Sequence, residues 1–372
     1  MSAEPAAPPA PTPATGSASA PSLPASSRSG RGRRGRRTGL VVSVLVVFLV
    51  AGIVLSAGLG QLAISPVEVG GALLRAVGLG EPPADVLAER TLWQIRFPRI
   101  AMAMLVGGAL AVAGVVMQAV FGNPLAEPGV VGVSSGAAVG AAASITLGLT
   151  AAGSWTTALL AFVGGLGATL IVYGAARVQG RADAVRLVLT GVAVNAFAGA
   201  LLAVLMFAGS TASREQIVFW QLGSMNGSRW GEAGVVSVVA LAAGALALRL
   251  GPRYDLLALG DRTAVHLGVR VERLRIVSVV LVALLTGVAV AFVGIIAFVG
   301  LVVPHLFRGI VGPSARPLMI VSFLGGAVLL LYADLLARTV VPAADLPIGI
   351  VTALIGGPFF YLLIRRNRGG WA

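Results

Sequence analysis

The sequence contains no cysteine and no lysine, and it is poor in charge and aromatic rings for its 372 residues. Without cysteine there are no disulfides, no thiolate catalysis, no iron–sulfur cluster and no thiolate zinc site. All 27 basic residues are arginine. A phosphate-binding loop of the Walker A kind needs its lysine to reach the nucleotide, so that motif is excluded, as is Schiff-base chemistry. The two histidines, His266 and His305, stand without a second histidine or carboxylate at ligand spacing, which leaves no metal site. Aromatic residues make up 6% and are scattered, which argues against an aromatic box for a flat or quaternary-amine ligand.

What is present is apolar. Hydrophobic residues make up 57%, charged residues 11%, and the mean hydropathy is +0.94, values of a polytopic membrane protein rather than a soluble domain. Fifty glycines suit membrane helices that associate through small residues. Residues 1–37 are rich in Pro, Ala and Ser and end in Arg28, Arg31, Arg33, Arg34, Arg36 and Arg37, which predicts a disordered cytoplasmic tail that meets anionic lipid. A signal segment ahead of the apolar run is the alternative. Nucleic-acid binding is disfavoured, because no aromatic residues interleave with the arginines. From residue 38 onward the chain reads as one transmembrane domain. The apolar runs predict about ten spans, at 39–59, 98–121, 129–150, 156–176, 187–208, 230–250, 276–292, 296–311, 317–337 and 347–364. The stretch 276–311 is short for two full spans, and Gly287, Gly294, Gly300 and Pro304 suggest broken helices there.

With the tail placed inside, twenty arginines fall in inside loops. Seven fall outside: Arg75, Arg90, Arg96, Arg99, Arg214, Arg229 and Arg338. This asymmetry obeys the positive-inside rule and places both termini in the cytoplasm. Trp155, Trp220 and Trp230 fall at outer edges, as in an interfacial aromatic belt.

The densest block is 94–137, QIRFPRIAMAMLVGGALAVAGVVMQAVFGNPLAEPGVVGVSSGA. Pro98 suits the first turn of a helix, and Gly107, Gly108 and Gly114 offer small faces for close helix approach. Asn123-Pro124 and Pro128 must break the helix. Six stretches stand in order: Ile95–Arg99 (IRFPR) and Gly107–Gly136 inside this block, then Trp220–Ser224 (WQLGS), Leu259–Gly268 (LGDRTAVHLG), Gly294–Arg308 (GIIAFVGLVVPHLFR) and Asp334–Pro358 (DLLARTVVPAADLPIGIVTALIGGP). Together they resemble the permease subunits of ABC importers for ferric siderophores, haem and cobalamin, the FecCD-type family. The resemblance runs from about residue 40 to the C-terminus. Asp345 stands where that family usually has Glu before Leu-Pro, a shorter acid.

The resemblance implies an all-α importer permease of the type II architecture, in a bacterial cytoplasmic membrane. It acts beside a second permease copy, as a homodimer or paired heterodimer, and cargo crosses along the subunit interface. Two ATP-binding subunits would hold the ATP and magnesium, so this chain needs no cofactor and no catalytic residue. An extracytoplasmic binding protein would deliver the cargo, first a ferric siderophore, with haem or cobalamin as alternatives. Arg96, Arg99 and Arg338 would receive acidic residues of that binding protein; taken without the family, such arginines are more often lipid-headgroup or intramolecular anchors. The segment 251–275 is too polar to span and permits a short amphipathic helix pair. By resemblance it contacts the ATPase through Leu259, Gly260, Asp261, Ala264 and Gly268, with the small residues giving a close fit. Asn123, Pro124, Leu125 and Glu127 would form the cytoplasmic gate, assisted by the turn at 183–190. Glu127 serves equally as a helix cap, and Asp334 is placed to pair with Arg338 at i,i+4.

Two readings from other classes compete. A proton-coupled secondary transporter would use Glu127, Asp334 and Arg338 as a relay. A membrane-embedded enzyme would need clustered polar residues at one depth, which the spans lack.

Overall fold

The computed structural model describes residues 27–366 apart from 80, 81, 84, 154, 179, 180, 183, 342 and 343. The chain is a helical bundle: α1 (Ser27–Gly58), α2 (Pro66–Ala76), α3 (Val86–Thr91), α4 (Phe97–Phe121), α5 (Val133–Thr146), α6 (Thr156–Ala176), α7 (Ala184–Ala208), α8 (Thr211–Leu222), α9 (Trp230–Leu257), α10 (Asp261–His266), α11 (Val271–Val293), α12 (Val299–Val311), α13 (Ala315–Thr339) and α14 (Ile348–Arg366). An antiparallel pair of two-residue strands, Arg177–Val178 with Arg181–Ala182, links α6 to α7. Among the described residues seven helical stretches are long and apolar enough to cross a membrane. Three shorter apolar helices, Val133–Thr146, Val299–Val311 and Ile348–Leu362, fall where the remaining expected spans were placed.

Several boundaries differ from the sequence expectation. Helix α1 begins at Ser27, so the arginine run expected in a disordered tail is helical from that point; arginine is a good helix former, and a nucleated helix propagates cheaply into it. Residues 1–26 lie outside the described residues. Pro98 does not open a new helix. Helix α3 passes through a π-helical turn, Leu92–Arg96, directly into α4, and this local widening accommodates a residue that lacks an N–H. The segment 251–275 is not a helix pair across the surface, because α9 runs on through Pro252 to Leu257 and only the six-residue α10 is separate. Three helices were not anticipated in the loops, α2, α3 and α8. The first carries a legible signature: Ser65 and Glu68 form a reciprocal capping box (2.8 and 3.2 Å), with Pro66 opening the helix.

Helix α4 is the core, with nearly all its side chains buried against α9, α11, α12 and α13. The glycines set how closely its neighbours approach. A Cβ on Gly107 would sit 2.1 Å from the Gly326 carbonyl oxygen on α13, and one on Gly326 would sit 2.2 Å from the Gly107 oxygen. One turn pair further along, a Cβ on Gly114 would sit 1.8 Å from the Gly300 oxygen on α12. Backbone meets backbone at both crossings, the arrangement that small residues permit where no water-driven force acts between helices. Helices α5 and α6 repeat it at Gly136 and Gly164.

The expected irregularity in 276–311 is present. Helix α11 starts at Val271 and is a full span, whereas α12 has 13 residues, roughly 20 Å at the helical rise against a hydrocarbon core of about 30 Å. Between them residues 294–297 are not helical, and Phe298 at the head of α12 takes φ 70°. Since Gly300 meets Gly114 in the inner half of α4, α12 begins at mid-bundle depth.

Candidate functional site

The C-terminus of α1, the N-terminus of α4, the C-terminus of α13 and the loop before α14 meet at one end of the bundle, which holds Arg96, Arg99 and Arg338. It is called here the arginine-poor face. The three arginines line one cleft of about 430 Å³ with Asn226 and Asp345. They are not the open acceptors expected, however. Arg99 is buried and donates to both carboxylate oxygens of Asp334 at 3.0 Å and to Asp345 Oδ2 at 2.7 Å. Arg338 does pair with Asp334 at i,i+4, at 3.8 Å, but Arg99 is the nearer partner.

Arg96 and Arg338 serve the end of α1. Arg96 donates to the carbonyls of Ala57 and Leu62, and Arg338 to the carbonyls of Ser56 and Leu59 (2.8 Å for the latter) and to Ser56 Oγ at 2.7 Å. The last turn of a helix leaves its carbonyls without intrahelical donors and carries the negative end of the dipole. Helix α1 has no basic residue in its own last turn, so two other helices supply the cations. The cleft thus contains three guanidinium groups and two carboxylates and keeps one net positive charge. Nearby, Arg75 donates to Glu89 at 2.5 Å, a hydrogen bond that pushes its guanidinium above its ordinary pKa. Trp230 Nε1 donates to the Trp93 carbonyl at 2.8 Å, and Trp155 packs edge-on against Phe292 at 5.3 Å, both at this face.

In the expected gate, Asn123 Oδ1 accepts from the Leu125 N–H at 2.9 Å, a local turn that closes α4 beyond Gly122. Pro124 lines a small cleft with Gln118, Tyr254 and Arg308. The Glu127 carboxylate accepts from the Phe298 N–H at 3.1 Å. Glu127 is therefore a cap, but for the remote helix α12 rather than the one that follows it. It ties the break after α4 to the break before α12, and Pro128 rests against Gly300. Gln118 extends this contact, donating weakly to the Gly300 carbonyl at 3.4 Å and accepting from Arg308 at 2.6 Å. Glu127 lies at the level of Leu110–Gly114, about three turns of α4 from Arg99. The relay of Glu127, Asp334 and Arg338 is not assembled. Of the assisting turn, Asp183 lies outside the described residues, and 184–190 is the start of α7.

At the opposite, arginine-rich face α10 forms a projecting knuckle. Gly260 (φ 97°) and Gly268 (φ 83°) bracket it with backbone that other residues rarely adopt. Ala264 is fully buried against the chain itself, so it anchors the knuckle rather than offering a close fit outward. Asp261 pairs with Arg275 of α11 at 2.9 Å. Leu259, Val265 and Leu267 are left exposed at 61%, 57% and 54%. Sequence reasoning missed Asp255, which caps α13 from α9 by accepting from the Ala315 N–H at 2.7 Å and the Ser314 hydroxyl at 3.1 Å. A cap supplied from another helix leaves no local signal.

Among the described residues, seven span-length and three shorter apolar helices closely packed through glycine define a multi-pass helical membrane protein. The description of the FecCD transport family matches residues 47–366. The hemin transport system permease HmuU of Yersinia pestis is 39% identical over 312 residues, 80% of this chain and 93% of that protein. The cobalamin import system permease BtuC of Halobacterium salinarum is 41% identical over 278 residues, 75% and 74% of the two chains. In structure the chain is similar to an inward-facing metal-chelate type ABC transporter, with a TM-score of 0.77 and 32% identity over 88% of this chain and 99% of that one. The chain belongs to the FecCD transport family, and it is a permease of an ABC importer of that type.

Proposed function

We propose that this permease imports a bulky metal chelate, a ferric siderophore in the first instance, driven by two ATP-binding subunits on its arginine-rich face and supplied by a binding protein on the other. The observation that carries the reading is the α10 knuckle. One exposed apolar side chain, Val265, stands on the six-residue helix and two more, Leu259 and Leu267, stand beside its two ends; the helix is fixed by a buried alanine and an ion pair, on a face otherwise set with arginine. A rigid apolar projection in that setting suits a hydrophobic socket on a partner. The excess of arginine at the same face supports its placement in the cytoplasm of a bacterial cell. Pairing with a second permease copy follows from the family resemblance.

The cleft of Arg96, Arg99 and Arg338 remains the docking point for an acidic residue of the binding protein, through its single net positive charge rather than through free guanidinium forks. Asn123, Pro124, Leu125 and Glu127 form the gate, with Glu127 as the strut between two helix breaks. Large metal chelates are consistent with the haem and cobalamin names of the relatives and with the metal-chelate neighbour. The path needs shape and weak polarity rather than metal ligands, because the metal arrives already coordinated. Haem is the second reading, favoured by the relative that this chain covers to 93%.

Uptake into proteoliposomes that contain the chain and its ATP-binding partner, with the binding protein added on the arginine-poor face, tests this. ATP-dependent accumulation of a labelled ferric siderophore is expected, with haem and cobalamin run in parallel. Preference for either of those reassigns the cargo, and uptake driven by a proton gradient without ATP overturns the importer reading. Val265→Glu should abolish co-purification of the ATP-binding subunit; its retention would remove α10 from that contact.

A further inference from the structure

A second feature of the arginine-rich face is not accounted for by transport. Between the ends of α9 and α11 lies a cleft of about 510 Å³. Its rim is Arg253, Arg270 and Arg273, all exposed, and its wall is Leu246, Leu250 and Val277. Among the described residues none of these three arginines has a hydrogen bond or ion pair within the chain, although acids are near. Each acid is committed elsewhere: Asp255 to the head of α13, Asp261 to Arg275, and Glu272 to the Tyr173 hydroxyl at 2.5 Å and Arg177 at 3.5 Å.

The start of α11 sharpens the point. The first turn of a helix exposes free N–H groups and the positive end of the dipole, and it favours acids. Here its cap is Arg270, which makes no side-chain cap hydrogen bond, Arg273 stands in the first turn, and the acid of that turn is turned to Tyr173 and Arg177. Three guanidinium groups and a helix head converge on one cleft without a counter-charge from the chain, and the wall beneath them is apolar.

We propose that this cleft holds an anionic phospholipid, its phosphate among Arg253, Arg270 and Arg273 and an acyl chain along Leu246, Leu250 and Val277. The pairing of charge above and hydrocarbon below matches an amphiphile rather than a free anion. A basic pocket between helix ends at the cytoplasmic leaflet is where anionic headgroups are held. Guanidinium groups suit the phosphate geometrically.

Native mass spectrometry of the full chain in detergent, titrated with phosphatidylglycerol, phosphatidylcholine and inorganic phosphate, tests the proposal. The wild type should retain phosphatidylglycerol and neither of the others. R253Q/R270Q/R273Q should bind phosphatidylglycerol roughly a hundredfold more weakly, since each basic residue at an anionic surface contributes about a factor of five. The triple Lys variant should stay within about tenfold of wild type, which separates charge from folding. Val277→Trp, with all charges intact, should also lose the lipid by filling the acyl path. Equal retention of phosphatidylcholine, or displacement by inorganic phosphate at millimolar concentration, would overturn the proposal. So would a triple Gln variant that keeps its lipid but no longer co-purifies with the ATP-binding subunit, because the arginines would then belong to that contact.

Discussion

At the arginine-poor face Arg96, Arg99 and Arg338 are withdrawn from water and bound to carbonyls and carboxylates of their own chain. At the other face Arg253, Arg270 and Arg273 stand exposed, and among the described residues they bind no group of the chain. The residue type is the same; what differs is the company. Where α1 ends below the surface, its orphan carbonyls and the buried carboxylate of Asp334 take up the guanidinium donors. Where α9 and α11 end, every acid is already engaged. Counting arginines by face therefore says little about what each of them does.

The contrast predicts a ladder of effects. The largest belongs to Asp334→Ala, which leaves the buried Arg99 with Asp345 as its only acid. A cost of about 3 kcal/mol is expected, seen as a lowered melting temperature of the detergent-solubilised chain; a variant as stable as wild type would show that Arg99 is not held by this pair. Next is Arg338→Met, which keeps the stem but removes the donors to Ser56 and Leu59. A loss of about 1–3 kcal/mol is expected, with faster proteolysis between α1 and α2. Unchanged cleavage there would remove Arg338 as the cap of α1. Asp261→Asn breaks a half-exposed pair and should cost under about 1 kcal/mol, yet it should weaken ATPase stimulation by loosening α10; full stimulation would show that the knuckle needs no brace. The smallest effect is on Arg253→Gln, within about 0.5 kcal/mol in the melting curve, since that side chain holds nothing in the chain.

Local patterns in the sequence carried much of this architecture. Hydropathy located the apolar segments, which among the described residues are seven span-length helices and three shorter ones, and Gly107 and Gly114 announced close crossings that the structure places at Gly326 and Gly300. The broken character of 276–311 was likewise visible in its length and glycines. What escaped was non-local. Arg96 and Arg338 cap a helix 39 and 282 residues away in the chain, Asp255 caps α13 across 60 residues, and Glu127 reaches Phe298 across 171. No spacing rule links such pairs, because the fold brings them together. The capping box of α2 was local and legible, and it went unread beneath the stronger hydropathy signal.

The glycine crossings also bear on movement. With carbonyl oxygens of α4 seated where a methyl would not fit on α13 and α12, these three helices have no slack to slide or part without losing their whole interface. Alternation between the two sides of the bilayer must then carry the trio as one rigid block. Displacement is left to the less enclosed α7 and α14 and to the irregular link at 294–297. Spectroscopic distances between labels on α4 and α13 should stay constant through the ATP cycle while those from α4 to α7 change.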